Sequence, residues 1–298
     1  KYFLDTVLGR LTYSGITGEQ INDHMGEMLS SPTTLIIFST VVIVLGFLVC
    51  GMGVQKGLER VTKGMMVALL AIIVVLAVYS ITLGGAKEGL AFYLIPNLDN
   101  MKSVGIGNVI VGAMNQAFFT LSIGIGSMAI FGSYIGKDRR LLGEATTIVS
   151  LDTFVALMAG LIVFPACYTY NNGVTADAGT VGASFLFTTL SSIFNAMPAG
   201  RIIGSLFFLF MIFASFSTVI AVFENIISFW LEQTKLSRRA VSLINIGLMA
   251  VLSLPCVFSL NIWNDISIFG KGFMDLEDFI VSYNLLPMGS LLFVMFCT

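Results

Sequence analysis

Asn115–Tyr134, NQAFFTLSIGIGSMAIFGSY, is apolar enough to lie in a membrane, yet it is not written as a plain spanning helix. Gln116 opens it, Thr120 and Ser122 set two hydroxyls in mid-run, and Gly124 and Gly126 follow at once. Each glycine weakens helix propensity by about 1 kcal/mol relative to alanine. In hydrocarbon a broken turn also leaves backbone groups without partners, which is tolerated only where they line a cavity or are buried in protein. Two readings fit. The helix is discontinuous near the bilayer midplane, with carbonyls and hydroxyls turned toward something polar, or it is continuous and its glycines let a neighbour pack closely.

Composition supports the membrane setting. Of 298 residues 56% are hydrophobic and 11% charged, where soluble domains carry about 25% charged residues. A net charge of −2 with scattered basic residues gives no nucleic-acid signature. Cys50, Cys167, Cys256 and Cys297 lie in or at the ends of apolar runs without metal-ligand spacing, and are read as small core residues. His24, the single histidine, falls in a polar stretch and is expected at the surface.

Further apolar runs lie at 33–51, 61–83, 108–134, 146–170, 200–231, 241–260 and 279–298. Each supplies the roughly 20 residues that a span needs, so seven transmembrane helices are expected in a single transmembrane domain over 1–298. The first thirty residues lack the basic start and long apolar core of a secretory leader, and no Met opens them. The chain is therefore expected to begin part-way through a longer protein.

Lys and Arg divide nine against six between alternate loops. Lys56, Arg60, Lys63, Lys137, Arg139, Arg140, Lys235, Arg238 and Arg239 crowd short loops, which marks those as cytoplasmic. Two connections on the other side, 84–107 and 171–199, are long. The second carries Phe185, Leu186, Leu190, Ile193 and Phe194 on one side of a helical stretch, which suits a lid over an outward cavity or a surface cap.

Two acids fall inside spans. Asp152, about seven residues into the 146–170 run, is costly at that depth unless it meets a cation, a partner or water. A bound cation, a protonated core carboxyl and an Arg partner all remain open. Glu224 is less telling and can be protonated against a neighbouring hydroxyl. Ala214, Ser217 and Thr218 share a helix face at i, i+3, i+4. A carbonyl beside two hydroxyls suits a hard cation, while small residues on one face equally mark tight packing.

These pieces resemble the neurotransmitter:sodium symporter family, bacterial amino-acid branch. The resemblance is carried by GLERVTKGMM at 57–66, QAFFTLS at 116–122 with Gly124 and Gly126, GSYIGKD at 132–138, and Ala214–Thr218, and it runs through nearly the whole chain. It implies an all-α integral membrane fold with inverted repeats and broken helices that bind substrate and ions at the midplane.

It further implies roles for single residues. Thr120 and Asp152 match ligands of a first sodium site, with Asp152 standing where the family usually has asparagine. Ala214, Ser217 and Thr218 match ligands of a second. Phe119, Thr120, Ser122, Ile125, Thr218 and Val222 would line the substrate pocket. Gln116 and Ala156 match positions of the chloride site in chloride-dependent relatives. Asp278 matches the acidic half of an outer gate, and Tyr134 and Glu232 parts of an inner one.

The implied activity is sodium-coupled symport of a neutral, hydrophobic amino acid across a bacterial plasma membrane, as a multi-pass protein and not an enzyme. Asp152 would supply a permanent negative charge, so chloride independence is expected. Implied partners are the amino acid, two sodium ions, the lipid bilayer and, in an oligomer, a second copy; nucleic acid is not among them. The family's first two helices and most of its third would precede Lys1, leaving each sodium site about half present. The alternatives are a non-transporting piece of the same fold, a passive channel, or an intramembrane aspartyl protease, whose chemistry needs two facing aspartates.

Overall fold

The computed structural model describes residues 1–11, 18–53, 59–136, 140–170 and 185–297; the side chains at 18, 19, 22 and 185 are also outside that description. Among the described residues the chain is helical throughout, with no strand. Among the described residues six helices are long and apolar enough to cross a membrane: Pro32–Gly51, Glu59–Ile81, Leu141–Tyr170, Gly200–Gln233, Arg238–Ser259 and Phe273–Cys297. The seventh expected span is the broken one.

In chain order the elements are α1 (Tyr2–Val7), α2 (Gly18–Ser30), α3 (Pro32–Gly51), α4 (Glu59–Ile81), α5 (Ala86–Leu94), α6 (Leu98–Val104), α7 (Ile106–Thr120), α8 (Ser127–Tyr134) and α9 (Leu141–Tyr170). There follow α10 (Leu190–Ala196), α11 (Gly200–Gln233), α12 (Arg238–Leu252), α13 (Leu254–Ser259), α14 (Phe273–Ile280) and α15 (Leu286–Cys297). π-helical turns precede α10 at Phe185–Thr189 and join α14 to α15 at Val281–Leu285. The 84–107 connection is itself mostly helical, as α5 and α6.

The chain groups into two compact units assembled from segments distant in sequence. The first comprises Lys1–Ser31, Val61–Pro96 and Phe154–Ser217. Its core joins Leu69, Ile73 and Leu76 of α4, Ile162 and Cys167 of α9, and Phe207 and Phe208 of α11. Leu190, Ile193 and Phe194 of α10 are almost fully buried in that core, so the apolar side expected for the 171–199 connection is used for packing. Its stretch 171–184, and the side chain of Phe185, lie outside the described residues. His24 is not at an exposed loop: it is half-buried on α2, and its Nε2 lies 3.1 Å from the buried Asp5 carboxylate. A carboxylate this buried needs such a partner, which the sequence pattern alone did not assign.

The second unit comprises Pro32–Arg60, Asn97–Thr153 and Thr218–Thr298. Phe47 of α3 stacks on Phe223 of α11 with centroids 4.0 Å apart. Lys56, Lys137, Asp138 and Arg139, counted in the loop-charge pattern and the family stretches, lie outside the described residues. Of the cysteines, Cys50 and Cys167 are core residues as expected. Cys256 is only half-buried and donates its thiol to the Glu277 carboxylate at 2.6 Å, and Cys297 is exposed.

Candidate functional site

The discontinuity falls where the sequence placed it. α7 ends at Thr120, α8 begins at Ser127, and 121–126 form turns between them. The two glycines do different things. Gly126 has φ +82°, the left-handed conformation that glycine adopts without strain. Gly124 is needed for room, because a Cβ there would run into the backbone of Leu286. Within the break Ser122 is also left-handed, at φ +51°. A non-glycine in that region costs about 1–3 kcal/mol and persists where its surroundings hold it, commonly at binding sites.

Two elements of the second unit flank the break. On one side, the Thr120 hydroxyl donates to Oδ1 of Asp152 at 2.9 Å. Asp152 lies eleven residues beyond Leu141, the first residue of α9, hence about 16 Å along the axis. The helix begins five residues earlier than the apolar run at 146–170. Glu144 sits in its first turn, where the helix dipole favours an acid.

On the other side stands α11. Asn225 donates its Nδ2 to the Ile125 carbonyl at 3.0 Å, satisfying a group that the break releases. Thr218, Val222 and Asn225 follow at i, i+4, i+7 on one helix face. Thr218 and Val222, expected in the pocket, thus lie on the helix face that carries the Asn225 contact. Asn225 was not singled out in the sequence; an amide in mid-span three residues after Val222 was the available signal.

Ala214 and Ser217 are also brought together: the Ser217 hydroxyl donates to the Ala214 carbonyl at 2.8 Å. Both are half-buried, and Thr218 is exposed. Phe119 is exposed on α7, where it lines a polar cavity of about 200 Å³ with Gln116 and Asp278. Ala156 is exposed on α9, and its carbonyl accepts from the Tyr93 hydroxyl at 3.3 Å.

At the far end of α8, the Tyr134 hydroxyl donates to Glu224 Oε1 at 2.9 Å and lies 2.8 Å from the Ser228 hydroxyl. Glu224 is fully buried and pairs with Arg238, whose Nε also donates to the Cys50 carbonyl at 2.7 Å. Burying a carboxylate is affordable only when it is paired and hydrogen-bonded. Arg238, counted by sequence among loop charges, supplies the pair. Glu232 sits exposed two turns further along α11, and Tyr134 meets Glu224 instead.

A helix broken within an apolar run, with a carboxylate–hydroxyl pair at one end of the break and an asparagine contact at the other, resembles the discontinuous helices of secondary transporters. The model of the Sodium:neurotransmitter symporter family matches residues 20–276. The chain belongs to that family. It is 32% identical over 295 residues to an uncharacterized sodium-dependent transporter, YhdH, of Bacillus subtilis (strain 168), covering 99% of this chain and 63% of the relative. A sodium-dependent transporter of Haemophilus influenzae is 27% identical over 99% of this chain and 64% of its own length. The crystal structure of MhsT in complex with L-phenylalanine superposes with a TM-score of 0.84 at 31% identity, covering 97% of this chain and 64% of that one. The chain thus spans a little under two thirds of the relatives it matches. The protein is an all-α, multi-pass membrane protein with the fold of sodium symporters.

Proposed function

We propose that this chain forms part of a sodium-coupled symporter for a neutral, hydrophobic amino acid. In this reading it works by alternating access in a bacterial plasma membrane and is not an enzyme. The observation that carries the proposal is the Thr120–Asp152 hydrogen bond beside the broken helix. A carboxylate and a hydroxyl are hard oxygen donors, suited to Na⁺, and the break offers backbone carbonyls next to them. Asp152 provides the negative charge that holds a cation in a low-dielectric site, so transport proceeds without chloride. Ala214, Ser217 and Thr218 give a second, smaller set of oxygens.

The substrate's carboxylate would meet the first ion and a half-helix terminus. Its side chain would rest among Phe119, Ile125 and Val222, with Ser122 and Thr218 at the polar edge. The MhsT complex with L-phenylalanine supports an amino acid of this kind. Tyr134 and Glu232 would serve an inner gate, Asp278 an outer one, and the 171–199 connection a lid. Asp152 meets a hydroxyl, and the aspartyl-protease chemistry would need a second carboxylate there. The reading holds for a monomer and a homodimer alike.

The test is uptake of a pool of labelled amino acids into proteoliposomes holding the full-length transporter, with and without a sodium gradient. Accumulation driven by sodium, lost in Asp152→Asn or Thr218→Ala and kept when gluconate replaces chloride, supports every part of the proposal. Accumulation that collapses in gluconate removes chloride independence alone. No accumulation by folded protein removes the symport reading.

A further inference from the structure

The π-helical turn Val281–Leu285, sequence VSYNL, joins α14 to α15. Such insertions are rare and occur mostly at functional sites. Here the Leu286 amide donates to the Val281 carbonyl, five residues back. Asn284 adds a second bond of the same reach, its Nδ2 donating to the Phe279 carbonyl at 2.9 Å. An uninterrupted α-helix would set Asp278 and Leu286 about 80° apart around the axis, and absorbing one residue brings them within about 20°. Both then face the broken helix.

The contacts bear this out at each end of the turn. Asp278, Ser282 and Tyr283 line the cavity of about 200 Å³ whose opposite wall includes Asn115, Gln116 and Phe119 of α7. The Ser282 hydroxyl donates to Asp278 Oδ1 at 2.6 Å. Below the turn, the Leu286 backbone lies where a Cβ of Gly124 would be, and the Gly124 backbone in turn leaves no room for a Cβ on Gly289. One helix thus grips the break by its backbone and, about two turns away, presents a carboxylate to the neighbouring cavity.

We propose that Asn284 is a positioning residue for transport. By holding the turn in the π register it aims Asp278 at the cavity beside α7, and so acts on closure of the entrance through Asp278 alone. This rests on the reading of Asp278 as an outer-gate residue. A mere packing role for Asn284 would not require Asp278 to carry its effect.

The test uses the full-length transporter in proteoliposomes with labelled L-phenylalanine, comparing Asn284→Leu and Asn284→Ala, each alone and with Asp278→Asn. Either substitution should raise KM about fivefold, the worth of one hydrogen bond, with kcat kept within about twofold. In the Asp278→Asn background neither should add a further change. A second readout needs no transport: disulfide cross-linking of Gly112→Cys with Tyr283→Cys, scored by peptide mass spectrometry, should slow when Asn284→Leu is added. Unchanged cross-linking, or KM effects that simply add to those of Asp278→Asn, overturns the proposal. Cross-linking that depends on Asn284 in a protein that accumulates no amino acid upholds the positioning role and removes the symport reading instead.

Discussion

Thr120 and Asp152, 32 residues apart, meet through a 2.9 Å hydrogen bond in which the threonine hydroxyl donates to the aspartate. A hydrogen bond to a charged group is worth about 1.5–3 kcal/mol, roughly twice a neutral one. The bond orients the carboxylate beside the break between α7 and α8. Removing the donor with Thr120→Val should weaken sodium activation about tenfold or more, while folded yield stays near that of the parent. Asp152→Asn should also weaken it, and is the variant in which added chloride would restore part of the loss. Sodium titration of uptake, with and without chloride, reads both.

Gly124 and Gly126 should fail differently when substituted. Gly126 needs a left-handed backbone, which asparagine also tolerates, so Gly126→Asn should cost less than Gly126→Ala, whose Cβ opposes that conformation by about 1–2 kcal/mol. Gly124 needs space against Leu286, so Gly124→Ala and Gly124→Asn should both be destabilising, by at least the 1–3 kcal/mol of an overpacked core. Thermal unfolding in detergent micelles would separate the two patterns.

That contrast shows what the sequence made legible. Membrane spans could be read because span-forming runs are a matter of length and composition, and six of the seven appear, among the described residues, as helical segments long enough to cross. The break was one of two readings of the mid-span hydroxyls and paired glycines, which suit close packing as well, and the family resemblance pointed to it. The division of labour between the glycines could not be read, since it depends on Leu286, far away in the chain. The start of α9 at Leu141, five residues before its apolar run, was not legible from hydrophobicity, since Glu144 of its first turn lies outside that run. Arg238 was assigned to a loop by its charge and only the fold reveals Glu224 as its partner. The π turn has no signature in VSYNL beyond an asparagine.

The Glu224–Arg238 pair makes a prediction about stability. Removing one member leaves a fully buried charge without its partner, which in buried pairs typically costs about 3–5 kcal/mol. Arg238→Met should therefore lower the unfolding midpoint sharply. Arg238→Met with Glu224→Gln should recover most of the loss, since the Gln carbonyl can still accept from Tyr134 while no charge is left unpaired. If the double variant is as unstable as the single one, the cost lies in the lost Arg238 bond to the Cys50 carbonyl.

Asn225 and Val222 share a face of α11 but should control different things. Asn225 holds the Ile125 carbonyl at 3.0 Å and so fixes the backbone of the break itself. Asn225→Leu leaves that carbonyl short of a partner, at a cost of about 1–3 kcal/mol. If the break holds the substrate as proposed, every substrate meets the same backbone, and the variant should raise KM by a similar factor for all amino acids tested. Val222 presents only a half-buried side chain. Val222→Ala should leave the fold nearly untouched and change the ranking among amino acids, favouring larger side chains by the roughly 0.8 kcal/mol of each buried methylene, a factor of about four. Competition of a panel of neutral amino acids against labelled phenylalanine distinguishes the two, since a uniform shift points to the backbone and a reordered series to the pocket wall.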